Sequence, residues 1–227
     1  MTFYVGLDLG QTADYTALAV LEDVSAALGG CGLRELQLRH LERYPLRTPY
    51  NTVADNVMRL VVRLGEQSPF HGTPDLLVDS TGVGRAVTDQ LRERRLMFRA
   101  VTITAGEKAA RVDGEWRVPK KDLVAALEVP FHTGELKVAQ GLELWPILRT
   151  ELLNFRRKVN LKTGHDSYEH WRETDHDDLV LAAALAAWGA QRFPTTAPPD
   201  GSLAAISRPS YWSGAGGSSL GQRSWRI

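Results

Sequence analysis

Short apolar runs in the first half of the chain predict five β-strands. The first three, at residues 3–9, 15–22 and 33–44, are separated only by loops, which favours an antiparallel meander. The fourth and fifth strands are predicted at residues 75–79 and 98–104, where apolar residues again dominate or alternate with polar ones.

Helical spacing of apolar residues fills most of the remaining chain. The pattern predicts helices over residues 51–64, 83–95, 119–127, 142–155 and 178–188. The last of these is apolar on nearly all sides and is therefore expected to be buried. Three strands followed by alternating helices and strands predict an α/β fold, with a five-stranded mixed sheet flanked by helices.

Two further segments and the end of the chain follow neither pattern. Residues 105–118 are polar and are expected to form a loop. Residues 155–172 alternate around a turn, which predicts a protruding β-hairpin. From residue 194 the chain is rich in Pro, Gly and Ser, so we expect a folded domain over residues 1–193 and a flexible tail over 194–227.

Composition restricts the classes of protein that fit the chain. The 27 basic and 27 acidic residues cancel, so any contact with nucleic acid has to come from a local patch. The single cysteine, Cys31, excludes an internal disulfide and fits a reducing cytoplasm. The longest apolar run, at about residues 179–190, is shorter than the roughly 20 residues of a membrane span, so no membrane contact is expected.

Carboxylates occur at three places where strands end or helices begin. Asp8 lies at the end of the first strand, Asp79 at the end of the fourth, and Asp177 and Asp178 open the last helix. Ligands of open α/β sheets bind beyond the carboxyl ends of the strands, and hard divalent cations prefer carboxylate oxygen. If the first and fourth strands are neighbours, these carboxylates meet.

Such a group of carboxylates suits a pair of divalent metal ions that promotes cleavage of a phosphodiester bond. Asp79 is then the natural bridging ligand, and spacing does not separate Asp177 from Asp178 as the ligand of the second ion. Each aspartate taken alone is more typical of a turn or a helix cap. The combination of three acidic sites therefore favours a metal-dependent nuclease.

Basic residues near the predicted hairpin are candidate DNA contacts. Basic side chains interleaved with aromatic ones on an exposed ribbon suit a phosphate backbone. Lys120 and Lys121 are either a further phosphate contact or only the start of a helix. The sequence lacks the G-x-x-x-x-G-K-[ST] nucleotide loop, which excludes a P-loop motor. The hairpin candidates are Arg156, Arg157, Lys158 and Lys162.

The ordered segments GLDLGQTADYTAL, LLVDSTGVG, VTITAG, VPKKDLV and HDDLVLAAALA resemble the nuclease domain of tailed-bacteriophage large terminase subunits, over residues 2–193. The resemblance implies a ribonuclease H-like fold with a hairpin beside the active site. It implies that Asp8, Asp79 and one or both of Asp177 and Asp178 bind two Mg²⁺ or Mn²⁺ ions. It also implies an endonuclease that cuts concatemeric double-stranded viral DNA during packaging, in the host cytoplasm.

Large terminases also carry an ATPase domain that pumps DNA, and no such segment is present in this sequence. The chain is therefore expected to be an isolated nuclease domain, or a stand-alone relative, that is monomeric and cuts without translocating. In the full assembly its partners would be the ATPase domain, the portal and the procapsid.

Three other functions remain open at this point. A resolvase-type nuclease that cuts Holliday junctions would share the carboxylates and differ in substrate. The segment GLDLGQT also resembles the first phosphate loop of the actin and sugar-kinase class, although that class generally uses two such domains. A docking module for portal or procapsid would keep the acidic residues without catalysis.

Overall fold

The structure, a computed structural model, describes residues 2–10, 14–25, 34–67, 72–82, 84–160 and 176–194. These residues form eight strands and five helices. The strands are β1 (Thr2–Asp8), β2 (Ala17–Asp23), β3 (Leu36–Arg43), β4 (Asp75–Asp79), β5 (Arg99–Thr104), β6 (Ala110–Val112), β7 (Glu115–Pro119) and β8 (Leu136–Val138). The helices are α1 (Tyr50–Gln67), α2 (Gly84–Glu93), α3 (Lys120–Thr133), α4 (Trp145–Asn160) and α5 (Asp178–Arg192).

All eight strands belong to one mixed sheet, in the order β6-β7-β5-β4-β1-β2-β3-β8. The predicted five-stranded sheet is confirmed as its centre, and the predicted meander is the antiparallel set β1, β2 and β3. Strands β4 and β5 continue the sheet in parallel with β1. The three short strands β6, β7 and β8 extend the sheet at its two edges.

Helices cover both faces of the sheet because successive side chains of a strand point to opposite sides. Val5 and Leu7 of β1 pack in the core that includes α1 and α2. Tyr4 packs in the other core, which includes α3 and α5. Asp8 has the same parity as Tyr4, so its carboxyl group is directed to the α5 side of the sheet.

Helix α5 lies directly against β1 because residue 6 is glycine. A β-carbon added to Gly6 would lie 1.9 Å from the carbonyl oxygen of Ala182, far inside any allowed contact. Every residue of α5 from Asp178 to Ala190 is buried, which confirms the prediction of an all-round buried helix. This close approach brings the first turn of α5 to the end of β1 where Asp8 lies.

The segment predicted to be a polar loop at residues 105–118 contains a β-hairpin formed by β6 and β7. Asp113 and Gly114 make its turn with φ values of 51° and 86°. An Asp-Gly pair with both φ angles positive is the signature of a tight two-residue hairpin turn. The loop prediction was therefore wrong, although the signal for the hairpin was present in the sequence.

The hairpin predicted at residues 155–172 is wrong at its start. Helix α4 continues through Asn160, so Arg156, Arg157 and Lys158 lie on a helix rather than at the base of a ribbon. The apolar residues that suggested a strand also fit a helix, since Leu152, Phe155 and Val159 are spaced by three and four residues. Residues 161–172, which include Lys162, lie outside the described part of the chain, as do residues 195–227.

None of the helices in the described ranges combines the length and the hydrophobicity that a membrane crossing requires.

Candidate active site

Asp8 and Asp79 end two adjacent parallel strands at the same edge of the sheet. Leu7 of β1 is in register with Val78 of β4, and each is followed directly by an aspartate. Leu77 packs in the core on the α5 side, and Asp79 shares its parity. The two carboxyl groups therefore meet on one face of the sheet, as expected from the sequence if the first and fourth strands are neighbours.

The third acidic site comes from the start of α5. Asp177 precedes the helix as its N-cap residue and Asp178 is its first residue. Asp178 is buried, whereas the Asp177 side chain is 25% exposed and accepts a hydrogen bond from Nζ of Lys120 at 2.9 Å. Lys120 is the first residue of α3, so the starts of two helices, α3 and α5, lie beside the ends of β1 and β4.

Burial and the proximity of the carboxyl groups shift the pKa values of Asp8 and Asp79. Burial raises the pKa of Asp8 well above its ordinary value, and the negative charges of Asp79, Asp178 and Asp177 raise it further. Burial also raises the pKa of Asp79, against hydrogen bonds that lower it. The charge of Lys120 lowers both pKa values, so this ammonium group neutralises part of the acidic cluster.

Thr81 fixes the orientation of the Asp79 carboxylate. Oδ1 of Asp79 accepts hydrogen bonds from the backbone N–H of Thr81, at 2.8 Å, and from the Thr81 hydroxyl group. The same hydroxyl oxygen accepts the backbone N–H of Ile103 on β5 at 2.7 Å. The chain after β4 is thus tied to the neighbouring strand, and Asp79 also forms a side-chain hydrogen bond with Asp8.

A buried ion pair borders the cluster on the side of Asp178. Arg43, the last residue of β3, donates a hydrogen bond through Nη2 to Glu151 of α4. The same nitrogen lies 3.8 Å from Oδ2 of Asp178. Burial raises the pKa of Asp178 to about 6 and that of Glu151 to about 7, and Arg43 lowers both.

Three residues beside the cluster were not predicted from the sequence as site residues: Arg43, Glu151 and Thr81. Glu151 carried a weak signal, because it lies three residues after the buried Leu148 and so interrupts the apolar face of α4. Thr81 lies two residues after Asp79, a spacing typical of side-chain turns. Arg43 carried no signal, because its partner Glu151 is 108 positions away in the chain.

The candidate DNA contacts are divided between several places. Lys120 pairs with Asp177 inside the acidic cluster, whereas Lys121 pairs with the exposed Glu107 at 2.5 Å. The segment with Arg156, Arg157 and Lys158 forms the last turns of α4, the helix that also carries Glu151. The structure therefore places Lys120 beside the predicted metal ligands and Lys121 on the surface.

An open cleft of about 550 Å³ lies on the α2 side of the sheet, the face opposite to the carboxylates of the acidic cluster. Ser80 and Thr102 in its lining directly follow Asp79 and Val101, which face α5, and Thr88 belongs to α2. Hydroxyl groups dominate the wall formed by the ends of β4 and β5. The lining residues are Ser80, Thr88, Thr102, Thr104, Val112, Asp113, Glu115 and Arg117.

The carboxylates suit a divalent cation in their chemistry, although they are not arranged as a finished coordination shell. Among the residues that the structure describes, no three His, Cys, Asp or Glu side chains are grouped closely enough to hold a metal ion. Asp79 is turned to Thr81 and Asp177 to Lys120. Oδ2 of Asp178 is buried and accepts no hydrogen bond in the described part of the chain, although Nη2 of Arg43 and Nδ1 of His176 each lie 3.8 Å from it. This oxygen therefore has capacity for a closer cationic partner.

No family model matches the sequence, and no curated protein matches it. Among solved structures, the chain is similar to the large terminase nuclease of thermophilic phage G20c, with 19% identity over 82% of this chain and 80% of that one and a TM-score of 0.44. It is also similar to the human cytomegalovirus terminase nuclease domain, soaked with Mn and bound to an inhibitor, with 17% identity over 83% and 82% and a TM-score of 0.48.

A third similar structure is RuvC from Thermus thermophilus, with 15% identity over 85% of this chain and 98% of that one and a TM-score of 0.38. At these identities and TM-scores the similarities assign no role to any residue of this chain. Two of the three structures are terminase nuclease domains, the class that the sequence motifs resemble.

Proposed function

We propose that this chain is a divalent-metal-dependent DNA endonuclease. The observation that carries the proposal is the convergence of buried carboxyl groups from β1, β4 and the start of α5, where burial first and then the charges of the other carboxylates raise the pKa of Asp8. Buried carboxylates that repel one another destabilise the fold unless cations neutralise them. Such an arrangement is typical of a site that is completed by metal ions.

The residues that would hold the ions are Asp8, Asp79 and one or both of Asp177 and Asp178. Asp178 would contribute its Oδ2, which accepts no hydrogen bond in the described part of the chain. Two bound Mg²⁺ or Mn²⁺ ions would supply activation of a water molecule and stabilisation of the leaving oxygen in phosphodiester hydrolysis. The carboxylates stand on strand ends and a helix start, which are rigid elements.

Residues of the chain also have roles that do not depend on direct metal contact. Thr81 orients Asp79 through its two hydrogen bonds to Oδ1. Lys120 neutralises part of the negative charge of the carboxylates through its ion pair with Asp177.

Contact with DNA away from the cleaved bond is proposed for the basic residues of the second half of the chain. Arg156, Arg157 and Lys158 follow one another at the end of α4, and basic groups on a helix end can contact phosphates without reading sequence. Lys121 and Lys162 are the remaining candidates. Their replacement by alanine would weaken the salt dependence of binding.

The resemblance to terminase nuclease domains extends the proposal to viral DNA packaging. In that role residues 1–193 would be the nuclease domain and residues 194–227 a flexible tail. The substrate would be concatemeric double-stranded DNA in the host cytoplasm. The ATPase domain, portal and procapsid would be its partners in the assembly.

Cleavage of supercoiled plasmid with Mn²⁺, with Mg²⁺ and with chelator tests the proposed activity. Nicking and linearisation that require a divalent ion support it, and the absence of cleavage with either ion contradicts it. A four-way junction and a linear duplex of the same length, incubated in parallel, compare the two nuclease substrates. Preferential cutting of the junction would indicate a resolvase-type enzyme rather than a packaging nuclease.

A further inference from the structure

The first turn of α5 receives its cap from another helix. The first four N–H groups of a helix have no partner within it, and an aspartate at the N-cap position commonly accepts one of them. Asp177 occupies that position but makes no side-chain cap. Instead, Oε2 of Glu151 on α4 accepts the backbone N–H of Val180, the third residue of α5, at 3.3 Å.

The second carboxylate oxygen of Glu151 is also engaged. Oε1 accepts the hydrogen bond from Nη2 of Arg43, and this nitrogen faces Asp178 at 3.8 Å. The Arg43 guanidinium group lies over the ring of Tyr15, with its carbon 4.9 Å from the ring centroid. Glu151 therefore connects three elements, α4, α5 and the end of β3, at one buried point beside the acidic cluster.

This arrangement has a consequence for the two aspartates that precede and begin α5. A carboxylate that caps its own helix points along the backbone and is occupied by N–H groups. Since Glu151 provides the cap, the Asp177 carboxylate reaches Lys120 and the Asp178 carboxylate keeps an oxygen without a hydrogen bond. The cap from α4 thus leaves both carboxylates directed to the cluster.

We propose that Glu151, together with Arg43, is a positioning residue that keeps Asp177 and Asp178 available as metal ligands. This inference rests on the proposed metal-dependent function. Groups that orient metal ligands without touching the metal typically change metal affinity by 10- to 100-fold when they are removed. Replacement of Glu151 frees the Val180 N–H, so that Asp177 is drawn into the cap and away from the metal.

Binding of Mn²⁺ in the absence of DNA provides a readout that is independent of catalysis. The electron paramagnetic resonance signal of free Mn²⁺ is titrated against the wild-type chain, Glu151→Ala and Glu151→Gln. We expect Glu151→Ala to weaken Mn²⁺ affinity about tenfold or more. Glu151→Gln keeps a single acceptor oxygen for either Val180 or Arg43, so an intermediate affinity is expected and the variant is the safer one to fold.

The Glu22–Arg39 pair offers a matched control. Glu22 is as buried as Glu151, and its Oε2 accepts a hydrogen bond from Nε of Arg39 at 2.6 Å. Its parity places it with Leu18 and Val20 on the α1 side of the sheet, away from the cluster. We expect Glu22→Gln to change the unfolding temperature without changing Mn²⁺ affinity.

The outcomes separate the inference from the proposed function. Wild-type chain that binds no Mn²⁺ contradicts the metal-dependent function and removes this inference with it. Wild-type binding that is unchanged in a folded Glu151→Gln variant, or is weakened equally by Glu22→Gln, overturns the positioning role alone. Weakened binding confined to the Glu151 variants supports it.

Discussion

Nζ of Lys120 lies 2.9 Å from Oδ2 of Asp177, and its positive charge partly offsets the rise that burial causes in the pKa values of Asp8 and Asp79. One ammonium group therefore acts on carboxylates from three different elements. Pro119 ends β7, which pairs with β5 beside β4, and Lys120 follows it as the first residue of α3. The hairpin formed by β6 and β7 thus places the ammonium group of Lys120 beside the acidic cluster.

Removal of the Lys120 charge is expected to destabilise the metal-free protein. In chelator, Lys120→Ala should lower the free energy of unfolding by about 1 kcal/mol, because partly exposed ion pairs contribute on this scale. Saturating Mn²⁺ should restore most of the loss, since the ions replace the missing positive charge. Chemical denaturation with and without Mn²⁺ measures both effects.

The adjacent Lys121 is the matched control for this prediction. Its partner Glu107 is 88% exposed, so water and salt screen the pair. Lys121→Ala should leave stability almost unchanged in chelator and in Mn²⁺. Equal losses in the two variants would mean that Lys120 acts as an ordinary surface charge.

The stability of the metal-free protein should fall as the pH rises from acidic to neutral. In the folded state the pKa of Asp178 is about 6 and that of Glu151 about 7, above the ordinary values of 3.8 and 4.5. The folded state therefore binds more protons than the unfolded state within this window, and stability is lost as the pH rises through the folded pKa values. Denaturation in chelator at about pH 5 and about pH 8 gives the direction.

Two exposed carboxylates have lowered pKa values and therefore contribute a weak rise of stability with pH. Hydrogen bonds from Arg94 and Lys121 lower the pKa values of Asp55 and Glu107, but both groups are solvated and contribute little. Asp178→Asn removes one of the dominant titrating groups and should flatten the pH dependence. Stability that rises between the two pH values in the wild-type chain contradicts the buried acidic cluster.

A methyl group at position 6 should disrupt the packing that brings α5 to the cluster. Gly6→Ala places a carbon within 1.9 Å of the Ala182 carbonyl oxygen, where backbone has to move. We expect a loss of about 3 kcal/mol or more, at the upper end of overpacking effects. Thermal unfolding measures the loss, and Mn²⁺ affinity of any folded fraction should fall with it.

Gly65 provides the comparison for this substitution. It lies in α1, and the nearest atoms to an added β-carbon are 3.9 Å away, so there is room for a methyl group. Gly65→Ala should stabilise the protein by about 1 kcal/mol, because alanine is the better helix former. A Gly6→Ala variant as stable as Gly65→Ala would contradict the close packing of α5 on β1.

Local patterns were sufficient to predict the central sheet and the positions of its acidic residues. Asp8 and Asp79 each end a short apolar run, and the position of Asp178 follows from the apolar helix that it begins. Glu151 and Arg43 were not predicted because their pairing depends on the packing of α4 against β3 and α5. The hairpin at residues 155–172 was wrongly predicted to begin at Phe155, since two periodicities fit the same apolar residues.

The central claim is that the carboxylate at the end of β4 takes part in metal-dependent cleavage. The most direct measurement compares plasmid cleavage with Mn²⁺ by the wild-type chain, Asp79→Asn and Asp75→Asn. Asp75 begins the same strand and pairs with Arg99 at 2.9 Å, so its substitution changes the charge equally at the opposite end. We predict cleavage by the wild-type chain and Asp75→Asn and its loss in folded Asp79→Asn, whereas full cleavage by Asp79→Asn would contradict the account.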